Sequence, residues 1–480
     1  MAAEQFPRGC EGVDASMASL STDPSKFERV ANHVAAHSSR PATRRKIIIN
    51  GTEFRVPASD IFPDILVPKN FPNSIPENFG VVNSHPWHSK RALEPKLPST
   101  DIRPIPDERC VNTAHLGEEE RACLAQIGLK AIAEGRVAAV VLAGGQASRL
   151  GSAQPKGVLR LGTGLGQDDV DSLLFIQAAQ IVRLQRMAAE QFPAEAAKSG
   201  GRITWLVMTS NTTNGAVHDH LNAVLAETGL SPDQVLIFSQ KEIPAFDFDG
   251  NALMKNSTEL VTAPDGNGGF YDRGVQHLHI YCVDNILCRV ADPAMIGCAI
   301  DRQADCALKV IEKRDPAELV GHVCLENGLV RVLEYSEIPR ELAERRCATD
   351  PSKLFLNAGS IANHVVTLDF LRAACDKADD VLPYHAARKR VPFWDTEKQT
   401  MVQPTGPNAV KLERFIFDPF VLSKNVLMWV VSAQEEFSPL KNPDSAGRDC
   451  LSTCLDSFRG PHAQWIRQAC IDARSAAKKN

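Results

Sequence analysis

Residues 136–157 read RVAAVVLAGGQASRLGSAQPKG, and this stretch decides the fold. Residues 137–142 are a short, almost continuous apolar run, which is typical of a strand buried on both faces of a parallel sheet. The run ends abruptly at Gly144 and Gly145, and glycines let backbone N–H groups approach a ligand closely. Arg149 and Lys156 add two cations to the same loop. The stretch therefore predicts a strand that ends in a loop for a polyanion, with a nucleoside triphosphate as the expected ligand.

Two better-known phosphate loops do not fit this stretch. The dinucleotide fingerprint is G-x-G-x-x-G and the P-loop is G-x-x-x-x-G-K-[ST], and the spacing of Gly144, Gly145 and Gly151 matches neither. Pro155, just before Lys156, disfavours an early helix. A tight turn with solvated charges is the alternative. The order of strand, glycines, arginine and Pro-Lys favours a ligand loop.

Composition is that of an ordinary globular protein with room for two or three domains in 480 residues. The net charge of -5 comes from 53 basic and 58 acidic residues, without a long basic block, so no nucleic-acid partner is expected. The 13 cysteines are scattered without a C-x-x-C pair, which indicates reduced thiols in a cytoplasmic protein. No apolar run approaches the roughly twenty residues of a membrane span, so no membrane association is expected.

The chain order predicts four regions. Residues 1–45 are polar and weakly periodic, which indicates a disordered arm with a short helix near residues 27–36. Residues 46–117 contain an Asn50-Gly51 hairpin signal and many prolines, which favours an irregular covering segment. Residues 118–410 form the catalytic domain and residues 411–480 a smaller C-terminal domain.

Apolar periodicity within the catalytic region alternates between strand and helix patterns. This predicts an α/β fold with a doubly wound, mixed but mainly parallel sheet, Rossmann-like, whose ligands bind at the carboxyl ends of the strands. A hairpin at 322–335 turning at Asn327-Gly328 adds antiparallel pairing. The predicted strands cover 137–142, 203–208, 234–238, 277–283, 306–312 and 426–431, and the predicted helices cover 118–134, 172–189, 216–228, 293–302, 411–422 and 451–473.

Several ordered stretches then point to one family. They are LAGGQASRLG with PKG, APDGNGG at 263–269, YCVDNILCRVADP at 281–293, VLEYSEI at 332–338, LNAGSIANH at 356–364, PNAVKLERFIFD at 407–418 and EFSPLKN at 436–442. Together they resemble the eukaryotic UDP-N-acetylhexosamine pyrophosphorylases, which belong to the type 1 UDPGP uridylyltransferases with a nucleotidyltransferase fold. The resemblance implies condensation of UTP with N-acetylglucosamine 1-phosphate, releasing pyrophosphate, with Mg2+ or alternatively Mn2+.

The chemistry of this reaction agrees with the residue types. In-line attack of a sugar-phosphate oxygen on the α-phosphorus requires the protein to position two anions and disperse charge on the leaving pyrophosphate. The sugar phosphate is already ionised near neutral pH, so no general base is required. None of the 13 histidines is therefore given a role.

The resemblance assigns site residues position by position. It implies that Arg149, Lys156 and Lys411 are catalytic and that Asp284, which ends a strand, holds the metal. The implied nucleotide contacts are Leu142, Ala143, Gly144, Gly145, Lys156, Gln240, Gly266 and Asp284, and the implied sugar contacts are Asn267, Glu334, Tyr335, Asn357, Ser360, Lys411 and Lys441.

Three departures from the family pattern leave alternatives open. Ala147 replaces a glycine of the loop, which requires that this position has no positive φ. Ser360 stands where the family has an asparagine that contacts the sugar, so selectivity for glucose or N-acetylgalactosamine 1-phosphate is an alternative. The segment between Tyr271 and His277 is short where relatives place a helix, and a UDP-sugar-binding protein without turnover is the further alternative.

Overall fold

The computed structural model describes residues 44–49, 52–57, 101–244, 262–266, 274–377, 383–395 and 397–460, with backbone alone at 44–49, 52–57, 241–244, 262–266 and 386–387. The strands are β1 Arg44–Ile49, β2 Thr52–Pro57, β3 Ile102–Arg103, β4 Cys110–Asn112, β5 Val137–Leu142, β6 Thr204–Thr209, β7 Val235–Ser239, β8 Lys241–Pro244, β9 Thr262–Gly266, β10 His277–Cys282, β11 Cys306–Glu312, β12 Gly321–Glu326, β13 Leu329–Leu333, β14 Ala358–Thr367, β15 His385–Lys389, β16 Phe393–Asp395, β17 Thr400–Val402, β18 Ala409–Glu413 and β19 Val426–Val431. The α-helices are α1 Glu118–Ala133, α2 Leu173–Gln191, α3 Pro193–Ser199, α4 Asn214–Thr228, α5 Pro293–Asp301, α6 Arg340–Glu344, α7 Leu368–Asp376 and α8 Ala433–Glu436, and residues 451–460 are also helical.

The chain divides into two units, residues 1–85 and 86–480. In the first unit β1 and β2 pair antiparallel, which confirms the predicted hairpin. The predicted helix near residues 27–36 lies outside the described residues, as does most of the predicted disordered arm. β1 begins at Arg44, one residue before the predicted end of that arm.

The second unit is built on a mixed sheet in the order β4-β19-β11-β14-β10-β5-β6-β7. Along this path only β14 is antiparallel to its neighbours, β10 and β11, among the described strands. The sheet is therefore mainly parallel, as predicted. β19 lies in the predicted C-terminal domain and β4 in the predicted covering segment, yet both belong to this sheet; the domain boundaries themselves stay predictions.

β5 is buried on both faces, as its continuous apolar run predicts. Ala139 and Val141 belong to the apolar cluster that includes residues of α1, α2 and α4, while Ala138 and Val140 belong to a second cluster on the other face. Alternate side chains of a strand point to opposite faces, so helices or loops must cover both. β5 consequently cannot shift relative to β6 and β10, and its carboxyl end delivers the glycine-rich loop to a fixed place.

The predicted strands and helices are confirmed within one to three residues at most of their ends, with one error, and several elements, most of them short, were not predicted. Residues 411–422 are predicted as a helix, but β18 and a 3-10 turn at Asp418–Leu422 occupy them. The pattern of 409–413 is AVKLE, whose alternating apolar and polar residues suit a strand. The longest of the elements that were not predicted is β14, the strand at the centre of the sheet. The helix predicted to extend to residue 473 is described only as far as residue 460.

Candidate active site

The glycine-rich loop after β5 folds back on itself through backbone hydrogen bonds. The amide of Ala147 donates to Gln154 O at 2.9 Å, and the amide of Lys156 donates to Gly145 O at 3.2 Å. Ala147 has φ −84°, so this position requires no glycine and the departure from the family loop is accommodated. Lys156 is thereby held beside Gly145. Arg149 is exposed on the 3-10 turn of the same loop.

Gln240 closes one side of this loop. A Cβ atom at Gly144 would lie 2.5 Å from Gln240 Nε2, so only a glycine lets the two approach as they do. The Gln240 side chain is buried, and its backbone amide donates to Thr209 O at the end of β6. Gly266 on β9 is the register partner of Lys241, the next residue. The structure thus brings Gly144, Gln240 and Gly266 together, and Asn267 lies outside the described residues.

Asp284 follows β10, the parallel neighbour of β5, and Cys282 is in register with Leu142. Because the carboxyl ends of parallel strands meet at one sheet edge, Asp284 emerges beside the loop. Its Oδ2 lies 3.1 Å from Lys156 Nζ, and both side chains are less than one-fifth exposed. The structure therefore joins the predicted metal ligand to the predicted phosphate-binding lysine.

The segment 436–442 is fastened to the same turn. Leu440 N donates to Asp284 O at 2.8 Å, Ser438 N donates to Asn285 Oδ1 at 2.9 Å, and Asn285 Nδ2 donates to Glu436 O at 2.7 Å. These bonds deliver Lys441 to the site. Burial raises the pKa of the Cys282 thiol to about 12, although the positive charges of Lys441 and Lys156 lower this pKa.

Glu334 lies immediately after β13 and faces the turn before β12. A Cβ at Gly321 would lie 3.2 Å from Glu334 Oε2, and Gly321 is the register partner of Ser360 on β14. Burial raises the pKa of Glu334 to about 6, Glu337 adds to this, and Lys441, His385 and Lys313 oppose it. Ser360 is buried, whereas Tyr335 is 41% exposed. Glu334 and Ser360 thus share one wall.

Lys313 is a residue of this wall that the sequence interpretation missed. It directly follows β11, its amide donates to Asn357 O at 2.7 Å, and its buried Nζ lies 2.9 Å from both Glu318 O and His322 Nε2. Burial lowers the pKa of Lys313. A charged residue at the carboxyl end of an apolar strand is the same signal that identified Asp284. These bonds hold Asn357 and the 318–320 turn in place.

Lys411 lies on β18 and is the register partner of Ala387 on β15. β18 runs alongside β9, with Cα atoms within 8 Å. Lys411 therefore belongs to the side of the site that carries Gly266, whereas Lys156 contacts Asp284 and Lys441 follows Leu440, whose amide donates to Asp284 O. Its neighbours come from a strand pair and not from the predicted helix.

The donor set around Asp284 suits a magnesium ion that is shared with phosphates. Within the described residues no group of three or more His, Cys, Asp or Glu side chains could hold a metal. Mg2+ in phosphate-transfer sites takes one or two carboxylates, and substrate phosphates and water supply its other oxygens. A single carboxylate beside Lys156 fits that pattern.

No helix among the described residues is long and apolar enough to cross a bilayer.

The features of this site define an α/β enzyme of the nucleotidyltransferase class. They are a loop backbone at a strand end, a glutamine whose amide suits a pyrimidine edge, several lysines and one carboxylate. The profile of the UTP–glucose-1-phosphate uridylyltransferase family matches residues 83–452, so the chain belongs to this family. The resemblance drawn from the motifs is confirmed.

Individual proteins that are similar to this chain give more detail than the family match. A protein of Caenorhabditis elegans named probable UDP-N-acetylglucosamine pyrophosphorylase is 45% identical over 399 residues, which cover 80% of each chain. The UDP-N-acetylglucosamine pyrophosphorylase of Saccharomyces cerevisiae is 38% identical over 361 residues, 72% of each chain. The crystal structure of the Trypanosoma brucei uridine diphosphate N-acetylglucosamine pyrophosphorylase with an inhibitor matches with a TM-score of 0.67 at 27% identity, covering 78% of this chain and 75% of that one.

Proposed function

We propose that the protein condenses UTP with N-acetylglucosamine 1-phosphate to give UDP-N-acetylglucosamine and pyrophosphate. The observation that carries this is the contact between Lys156 and Asp284 at the strand edge where Gly144 meets Gln240. This contact supports the proposal, because Lys156 would face the phosphates and Asp284 would hold a metal beside the position that we propose for the pyrimidine. The names of the similar proteins support the same reaction.

The residues would divide the work as follows. Backbone of Leu142, Ala143, Gly144 and Gly145, with Gln240, would hold the uridine end, while Lys156 and Arg149 would face the phosphates. Lys441 and Lys411 would meet the sugar phosphate, and Glu334 would accept hydrogen bonds from sugar hydroxyls. Mg2+, or Mn2+ in its place, held by Asp284 would neutralise charge on the reacting phosphates. The protein's own contribution is positioning and charge stabilisation.

The reaction requires no protein base, because the phosphate nucleophile is already ionised. The proposed setting is the cytoplasm, which the free cysteines of the described residues support. UTP and the sugar phosphate are the proposed partners.

Incubation of the protein with UTP, Mg2+ and N-acetylglucosamine 1-phosphate tests the proposal through pyrophosphate release. Release should exceed that of a Lys156→Ala variant by at least about 100-fold, the usual effect of losing one charge-stabilising donor. Release no greater than that of the variant would overturn the proposal. UDP-sugar binding in calorimetry without release would instead indicate a binding protein without turnover.

A second candidate concerns the sugar. Ser360 is buried on the wall that carries Glu334, where a hydroxyl is shorter than an amide and offers fewer hydrogen bonds. This favours relaxed selectivity towards glucose or N-acetylgalactosamine 1-phosphate. Comparing kcat/KM for the three sugar phosphates decides between them.

A further inference from the structure

His385 connects two acidic residues that are far apart in the chain. Its Nδ1 lies 2.8 Å from Glu337 Oε1, and its Nε2 lies 3.1 Å from Asp418 Oδ2. Glu337 comes shortly after β13, and Asp418 begins the 3-10 turn that follows β18. A neutral imidazole has one N–H and one acceptor nitrogen, whereas an imidazolium donates from both. Two carboxylates at the two nitrogens therefore select the imidazolium.

The surroundings keep this ring in place. Its ring stacks on Phe415 with centroids 4.1 Å apart, and only 10% of the His385 side chain is exposed. The amide of Phe415 also donates to Asp418 Oδ2 at 3.3 Å, so the turn after β18 is tied to the same carboxylate. Other charged residues near the ring include Glu334, Glu413, which is the register partner of His385 on β18, and Arg414, whose guanidinium lies over the neighbouring Tyr384 ring.

His385, Glu337 and Asp418 form a bridge that connects the elements carrying two of the proposed sugar contacts, Glu334 and Lys411. On one side, Glu337 N donates to Glu334 O at 2.9 Å, so Glu334 and Glu337 belong to one turn. On the other side, β15 carries His385 and pairs with β18, which carries Lys411. His385 thus belongs to the strand pair that carries Lys411, and through Glu337 it forms an ion pair with the turn that carries Glu334.

Building on the proposed uridylyl transfer, we propose that His385 is a positioning residue for the sugar phosphate. Its imidazolium fixes the turn that carries Glu334 against the strand pair that carries Lys411, so that the groups for the sugar hydroxyls and for its phosphate keep a constant separation. UTP is held chiefly by the loop after β5 and by Gln240, which lie on other elements, so it depends much less on this bridge. Loss of the bridge should therefore weaken one substrate selectively.

Steady-state kinetics of a His385→Gln variant test this with each substrate varied in turn. The KM for N-acetylglucosamine 1-phosphate should rise about tenfold, the effect of losing roughly one charge-assisted hydrogen bond, and the KM for UTP should stay within about twofold. Glu337→Gln should show the same pattern. His218→Gln, an exposed histidine on α4, is the matched control and should change neither KM. Equal changes in both KM values, or none, would overturn the positioning role.

Calorimetry separates failure of this proposal from failure of the proposed function. The wild-type protein should bind UDP-N-acetylglucosamine more tightly than UDP, and His385→Gln should reduce this difference while leaving UDP affinity unchanged. If wild-type protein binds both without turnover, the proposed reaction fails while the binding difference still tests His385. An undiminished difference in the variant, or no preference in the wild type, rejects the role of His385.

Discussion

Lys156 Nζ and Asp284 Oδ2 lie 3.1 Å apart although 128 positions separate the two residues in the chain. The contact exists because β5 and β10 are parallel neighbours, so the loop after one and the turn after the other leave the sheet at the same edge. In a charged pair of this kind each group positions the other before a ligand arrives. The pair is therefore where we expect substitutions to have the greatest effect on catalysis.

Replacing Lys156 with alanine should lower kcat/KM for uridylyl transfer by about 100- to 1,000-fold, because a preorganised cation facing the phosphates is removed. Asp284 is only partly buried, so the fold should survive with a similar melting temperature. Lys198→Ala, at the exposed end of α3, is the matched control for losing one lysine. Comparable activity in the two variants would refute the role of Lys156.

Replacing Gly144 with alanine should raise the KM for UTP at least about tenfold. The new Cβ would lie 2.5 Å from Gln240 Nε2 and 3.2 Å from a backbone carbon of Thr209, so the glutamine must move. Gly215→Ala places a Cβ in open space and is the control. Adding Gln240→Ala to Gly144→Ala should restore thermal stability without restoring UTP affinity. An unchanged KM for Gly144→Ala would show that Gln240 does not contact the nucleotide.

The part of the site that was predictable from the sequence depends on local pattern and on the sheet edge. The strand before the glycine loop is a continuous apolar run, and a shared edge brings Lys156 to Asp284, so both follow from short stretches. The β14 strand was not predicted, because it contains buried polar residues such as Asn363, whose partner His279 lies 84 positions away. The bridge at His385 has partners 48 and 33 positions away, which no local pattern reveals.

Lys309 should be essential for stability. Its Nζ is fully buried, 2.9 Å from Asp292 Oδ2 and 2.5 Å from Glu436 Oε2. Burial lowers the pKa of Lys309, but the two carboxylates outweigh this and raise it above its ordinary value. Lys309→Met would leave two buried carboxylates without their lysine and should cost about 3–5 kcal/mol in the free energy of unfolding.

Urea denaturation measures this effect. Arg340→Ala, which removes a solvent-exposed pair with Glu344, is the control and should change the unfolding midpoint by no more than the experimental error. Because Glu436 begins the segment that carries Lys441, the Lys309 variant should also lose sugar-phosphate affinity. An unfolding midpoint equal to that of the Arg340 variant would contradict the proposed contribution of the Lys309–Asp292–Glu436 cluster to stability.

The free energy of unfolding should fall between about pH 6.5 and pH 9 through His385. Burial lowers the pKa of this imidazole, but hydrogen bonds and charges from Asp418 and Glu337 raise it from 6.5 to about 9. A folded-state pKa above the unfolded value stabilises the protein below the unfolded pKa, and this stabilisation is lost as pH rises to the folded pKa. At about 1.4 kcal/mol per pKa unit, the rise from 6.5 to about 9 corresponds to a change of at most about 3.5 kcal/mol. Urea denaturation at pH 6.5 and 9 should show a smaller fall in His385→Gln than in wild type.

Replacing Ser360 with asparagine should sharpen sugar selectivity. Ser360 is buried opposite Gly321, beside Glu334, and its Oγ accepts only a long bond of 3.4 Å from Ala362 N among its described partners. An amide at this position would supply a donor and an acceptor to the N-acetyl group or a neighbouring hydroxyl, and a site built for such a group rejects an analogue that lacks it. The ratio of kcat/KM for N-acetylglucosamine 1-phosphate over glucose 1-phosphate should rise about tenfold, equivalent to roughly one hydrogen bond. Ser360→Ala tests whether the serine hydroxyl itself affects selectivity. If the ratio is unchanged in the alanine variant but raised in the asparagine variant, the amide is responsible for the gain in selectivity. An unchanged ratio in both would place the selectivity on other residues of the wall.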